Sequence, residues 1–148
     1  MKIMVCTDGS QISTWAVQKA ARMSKLIEDA EVSLVHVHQN QLVGAPVVAP
    51  HLAVEIPPDL QEEMRKHSRL ILEEAEKILK GEEVAHKAHL LEGIPSGSIL
   101  DFIDEHDIDL VILGNKGQTG LERVFMGSVT ATVVQHAECD VYVAKTKP

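Results

Sequence analysis

Gly114, Asn115, Lys116 and Gly117 are followed, nine residues later, by Gly127 and Ser128. Glycines let a backbone approach a ligand closely. A helix opening at Ser128 would aim orphan N–H groups and its positive dipole end at the same place. That combination takes an anion, phosphate above all. At average composition, Gly-x2-Gly-x9-Gly-[Ser/Thr] arises by chance in roughly one chain in two hundred of this length. Gly114, Gly117, Gly127, Ser128, Val129 and Thr130 are therefore candidate cradle residues. Lys116 and Arg123 can neutralise phosphate, and each can equally be a solvated loop cation.

Neither common nucleotide motif is present. A Walker loop needs Gly-x4-Gly-Lys-[Ser/Thr], and a dinucleotide fingerprint needs Gly-x-Gly-x-x-Gly after the first strand. The chain reads Thr7-Asp8-Gly9-Ser10 there. Asp8 ends an apolar run in a glycine turn. It suits a ribose or a phosphate-bound cation, and it equally suits an Asx turn or a cap.

Eight histidines raise a metal reading. His36 and His38 share one face of a strand end, and His86 and His89 are three apart. No Glu-x-x-His or His-Glu-x-x-His accompanies them, so a metal ligand set stays unknown. His38 can instead line a crevice. Cys6 and Cys139 are the only cysteines. They have no ligand spacing and no disulfide framework, so both read as small buried hydrophobes. No nucleophile–base set is legible. The sequence supports binding better than catalysis.

These residues must be positioned by elements that periodicity predicts. Residues 3–6 and 32–37 read as buried strands. Ser10 can cap a helix whose face carries Ile12, Ala16, Ala20, Met23 and Ile27. Residues 40–57 have three prolines, a glycine and no period, so they read as a long functional loop. Leu60, Met64, Ile71, Ala75 and Ile78 mark a second helix, ended by Gly81. Residues 84–91 carry His86, Lys87 and His89, which suits an edge strand. A third helix spans 94–106. A buried strand 110–113, a helix 128–137 and a last strand, Val141 to Ala144, complete the chain. Strands and helices alternate. That implies an α/β domain, 1–148, with a parallel doubly wound sheet. Ligands in such folds sit outside the carboxyl ends of strands where strand order reverses. If the first and fourth strands are neighbours, Asp8 and the glycine loop face one crevice.

Composition narrows the partners. The chain has 148 residues, 45% apolar and 3% aromatic, with a formal charge of −8. Few aromatics and a negative balance oppose nucleic acid. No apolar stretch approaches the length of a membrane span. The start lacks a signal-peptide pattern, so the sequence reads as a cytoplasmic protein of a reducing compartment.

The chain resembles the universal stress protein family over its whole length. The resemblance rests on Thr7-Asp8-Gly9-Ser10, Val35-His36-Val37, the glycine loop through Thr130, and the tail His136 to Val143. The glycine spacing is that of the family's ATP-binding branch. The resemblance implies a five-stranded Rossmann-like domain, akin to the adenine nucleotide alpha hydrolases, with strand order 3-2-1-4-5. It implies ATP with Mg2+ or Mn2+ as cofactor, and a homodimer through the last strand, Val141 to Ala144. By position, Asp8 matches the acidic residue beside ribose and phosphates, and Val37 matches a residue whose backbone reads adenine. Gly114, Gly117, Gly127, Ser128 and Thr130 match the phosphate cradle. Cys6 and Asp140 stand where many members have proline, which bears on the rigidity of those turns. The implied role is a nucleotide-dependent regulatory module of stress response. The alternatives are a slow ATPase or phosphotransferase, and a nucleotide-free interaction protein.

Overall fold

A computed structural model of the chain describes residues 1–39, 57–116, 126–145 and 148. Among these, β1 (Lys2–Cys6), β2 (Glu31–His38), β3 (His86–Glu92), β4 (Leu110–Gly114) and β5 (Asp140–Ala144) alternate with α1 (Gln11–Ser24), α2 (Pro58–Gly81), α3 (Pro95–His106) and α4 (Ser128–His136). The strands form one five-stranded sheet of order β3-β2-β1-β4-β5. Every neighbour pair is parallel.

Alternation along the strands sends side chains to opposite faces. Ile3, Val5, Leu34 and Ile112 pack under α1 and α2, against Ala16, Val17, Ala20 and Leu79. Met4, Cys6, Val35 and Val111 pack under α3 and α4, against Ile99, Phe102, Ile103 and Val133. Aliphatic and small side chains fill both layers, as a chain poor in aromatics requires. β3 and β5 are the outer strands. β3 is the half-exposed, polar one.

Local structure departs from expectation at two points. Gly81 is the last residue of α2 rather than its left-handed terminator. Glu83 takes the positive φ there, at 56°. The apolar stripe of α2 splits, because Ala75 and Leu79 are buried while Leu60 is exposed and Met64 and Ile71 are half-buried. Its first half therefore leaves the core. His86 and His89 cannot share a ligand, since an odd offset in a strand puts them on opposite faces. His86 Nε2 lies 3.4 Å from Glu76 on α2. His89 sits edge-on to Phe102 of α3, with ring centroids 4.9 Å apart.

Candidate functional site

β1 and β4 are adjacent, so the chain reverses its order across that pair. The turn after β1 and the loop after β4 therefore open into one crevice. A cavity of about 700 Å³ lies there, lined by both loops, the end of β2, the first half of α2 and the start of α3.

The turn after β1 is built by its own hydrogen bonds. Asp8 Oδ1 accepts from the Ser10 N–H at 3.0 Å, an Asx turn. Gly9 takes φ 79°, which this reversal requires and a side chain resists. Ser10 caps α1, its hydroxyl accepting from the Ser13 N–H at 3.2 Å. Thr7 and Ser13 join hydroxyls at 3.2 Å. Asp8 is half-buried and lines the cavity. It thus serves the turn and faces the crevice at once.

Across the crevice, the ends of the glycine loop are clamped together. The Asn115 N–H donates to Ala144, and the Gly127 N–H donates to Asn115 at 2.8 Å. The Thr130 hydroxyl donates to the Gly114 carbonyl at 2.7 Å. What Thr130 offers a ligand is thus chiefly its backbone N–H. Gly127, rather than Ser128, is the N-cap of α4, and no side chain caps that helix. The first helical bond is Ala131 N–H to Gly127. The N–H groups of Ser128, Val129 and Thr130 therefore have no helical acceptor, and all three residues line the cavity.

The glycines differ in what they do. Gly127 has φ −60°, so no left-handed backbone demands glycine there. Gly114 is glycine for packing. A Cβ on it would lie 2.9 Å from Ile12 Cγ2 and 3.3 Å from backbone atoms of Ile12 and Ser13. Lys116 lines the cavity. Gly117, Arg123 and the predicted loop 40–57, except Pro57, lie outside the described residues.

The end of β2 supplies the third wall. The Thr7 N–H donates to the Val35 carbonyl, so Val35 faces β1 along the ladder. Val37 faces the same way, one step beyond the last β1–β2 pair, Cys6 with Val35. Its N–H and C=O thus open toward the crevice. His36 and His38 lie on the other face. Both are buried, at 7% and 6% exposed. His36 Nδ1 is 2.7 Å from the Thr7 carbonyl. Burial pushes its pKa down, against the pull of that carbonyl and of Asp8. His38 Nδ1 is 2.9 Å from Ser68 Oγ. Burial and the Arg65 cation push His38 down as well.

The sequence did not disclose the α2 wall. Leu60, Met64 and Ile71 look like core positions, yet they line the cavity with His67 and Ser68. Pro57 and Pro58 were a signal. They start α2 early, with no side-chain cap, so its first turns overhang the strand ends. Among the described residues, no three His, Cys, Asp or Glu side chains converge to hold a metal ion.

The chain matches the universal stress protein family over residues 1–145. It belongs to that family. A universal stress protein of Methanocaldococcus jannaschii is 36% identical over 97% of this chain and 81% of its own length. The solved universal stress protein UspA from Lactobacillus plantarum superposes with a TM-score of 0.79 at 26% identity, covering 98% of this chain and 97% of that one. The universal stress protein from Archaeoglobus fulgidus, solved in complex with dAMP, shares the fold with a TM-score of 0.69 at 24% identity, over 98% of both chains. No helix among the described residues of this universal stress protein is long and apolar enough to cross a membrane.

Proposed function

We propose that this universal stress protein binds an adenine mononucleotide in the cavity at the β1–β4 reversal and acts through its bound state as a regulatory module. The observation that carries the reading is the set of N–H groups on Ser128, Val129 and Thr130, which lack helical acceptors and line that cavity. They suit phosphate. Asp8 stands across from them for the ribose. The N–H and C=O of Val37 match the donor and acceptor on adenine's edge. The Archaeoglobus relative's dAMP supports an adenine ligand of this kind.

Within that reading, ATP is the ligand proposed, with Mg2+ or Mn2+ carried on its phosphates. Lys116, which lines the cavity, would offset a longer phosphate chain. A divalent ion would arrive with the phosphates, because the described side chains build no cage for it. Binding is favoured over turnover. The Thr7 and Ser13 hydroxyls satisfy each other, and the His36 Nδ1 pairs with the Thr7 carbonyl. None of these is poised as a nucleophile with a base. A homodimer through β5 and residence in a reducing cytoplasm belong to the same proposal.

Denaturing the purified protein and identifying any released nucleotide tests the ligand. Calorimetry with AMP, ADP and Mg-ATP then ranks the phosphate chain. No release, and no binding of any adenine nucleotide at millimolar concentration, overturns the reading.

A further inference from the structure

We propose that His38 and Ser68 form an acid-released latch that holds the first half of α2 over the cavity. It rests on the nucleotide reading only for its consequence, which is that releasing the latch exposes the ligand.

The geometry is asymmetric. The second half of α2 is anchored in the core by Ala75, at 5% exposed, and Leu79, at 0%. The first half has no such anchor. Leu60 is 41% exposed, and the helix starts at Pro57 without a capping side chain. Polar ties hold it to the sheet. Ser68 bonds His38 at the end of β2, and Arg65 forms an ion pair with Glu92 at the end of β3. Ser68 is buried at 6% exposed, as is His38. A helix fixed in its second half and tied near its middle by a titratable side chain is a hinged cover.

The surroundings of His38 decide which way it switches. From β2 it meets His36. From α2 come Ser68, bonded to it, and the Arg65 cation, with Glu63 and His67 lining the same cavity, and from β3 its register partner is Glu92. Asp8, after β1, acts on His36. Glu92 is already held by Arg65, and the net effect on His38 is downward. A proton on His38 therefore creates a buried cation beside a guanidinium. The serine oxygen can still accept a bond from it, but cannot balance the charge. Swinging the first half of α2 away hydrates the ring and lets it titrate normally.

The sign follows from linkage. The closed state binds the proton more weakly than the open one. Opening is therefore favoured as pH falls below 6.5, the ordinary histidine value. A group that titrates normally when open and more weakly when closed changes the opening constant by at most about tenfold between pH 7.5 and 5.5.

Hydrogen exchange of the nucleotide-free protein reads this directly. After correction for intrinsic rates, amides of residues 64–71 should lose protection, by up to about tenfold, from pH 7.5 to 5.5. Those of 75–81 should not. His38→Asn keeps an amide near the Nδ1 position and does not titrate, so it should flatten the response. Ser68→Ala should raise exchange of 64–71 already at pH 7.5. Equal protection of 64–71 at both pH values overturns the latch, as does a response that survives in folded His38→Asn. If that variant does not fold, NMR titration of His38 in the wild-type protein decides. A midpoint at or above 6.5 overturns the proposal, and a lower midpoint shared with α2 exchange supports it. These readouts need no ligand. A latch without nucleotide binding would overturn only the functional reading, and nucleotide binding without a latch would overturn only this one.

Discussion

The Thr130 hydroxyl donates to the Gly114 carbonyl at 2.7 Å, joining the end of β4 to the first turn of α4. Thr130 is 5% exposed, so water does not replace this bond easily. Thr130→Val keeps the shape and removes the donor. It should cost about 1–3 kcal/mol by leaving the carbonyl unpaired, while Thr130→Ser should restore most of the loss. Urea unfolding of the nucleotide-free variants measures both. A Val variant as stable as wild type would show that the bond contributes nothing to the fold.

Gly114 gives a second prediction. Its missing Cβ makes room for Ile12 and the start of α1, with contacts at 2.9 and 3.3 Å. Gly114→Ala should overpack this junction at a cost of about 1–3 kcal/mol. Ile12→Ala should recover part of that cost in the double variant, because it removes the nearest atom. A double-variant cycle on unfolding free energies reads the coupling. Strictly additive losses would place the strain elsewhere.

These two residues show what was legible beforehand and what was not. Their spacing with Gly127 marked the loop, the strand–helix alternation predicted a parallel doubly wound sheet, and the family resemblance supplied the order 3-2-1-4-5 that the sheet has. The first two signals are local or periodic, so a sequence displays them. The reason for each residue was not displayed. Gly114 is small because a helix from the other end of the chain packs on it, and Thr130 is polar partly because a carbonyl sixteen residues away needs a donor. The α2 wall was hidden because one apolar period covers two environments, core at Ala75 and Leu79, cavity at Met64 and Ile71. His86 and His89 are three apart in sequence, and strand geometry puts them on opposite faces.

Asp8 should divide stability from binding. Its Oδ1 holds the Ser10 N–H at 3.0 Å, a bond an amide oxygen can make equally well. Asp8→Asn should therefore leave the melting temperature nearly unchanged. Affinity for adenine nucleotide should fall about tenfold or more, the usual size of a lost charge-assisted bond. Asp8→Ala should lose the same affinity and also about 1 kcal/mol from the turn. Calorimetry and thermal melts on the three proteins give both quantities. An Asn variant that melts far lower yet binds normally would make Asp8 a structural residue alone.

Acid should weaken the fold as a whole. His36, His38 and His89 are each held below their ordinary pKa, with burial the first cause. His89 Nε2 is buried without a partner, and His106, stacked on Phe102, adds to the downward push. The unfolded chain therefore takes up more protons than the folded one. Their contribution to stability is intact above the ordinary value of 6.5 and shrinks as pH falls from there toward the folded pKa values. Melting temperatures of the nucleotide-free protein should drop steadily from pH 7.5 to 5.5 at fixed ionic strength. A flat or rising profile would contradict all three assignments.

β5 is an outer strand, and its residues 141–143 are only half-buried. It carries no charge between Asp140 and Lys145. Open apolar edges invite another chain unless charge, proline or a cover blocks them. A second copy of β5, antiparallel across a two-fold axis, would close the interface on itself. The ladder says which groups would pair. The Asp140 N–H donates to Asp109, and the Ala144 carbonyl accepts from Asn115. Even-numbered residues thus face β4, and by alternation Val141 and Val143 turn their N–H and C=O outward. Val143→Pro removes an outward donor and no bond to β4, so it should dissociate the dimer with little loss of fold. Val141→Lys with Val143→Lys should also give monomers or unfolded chain, because both side chains face the α4 layer. Light scattering at micromolar concentration decides. A monomeric wild-type protein refutes the pairing, and a dimer that persists in folded Val143→Pro moves the interface away from this edge.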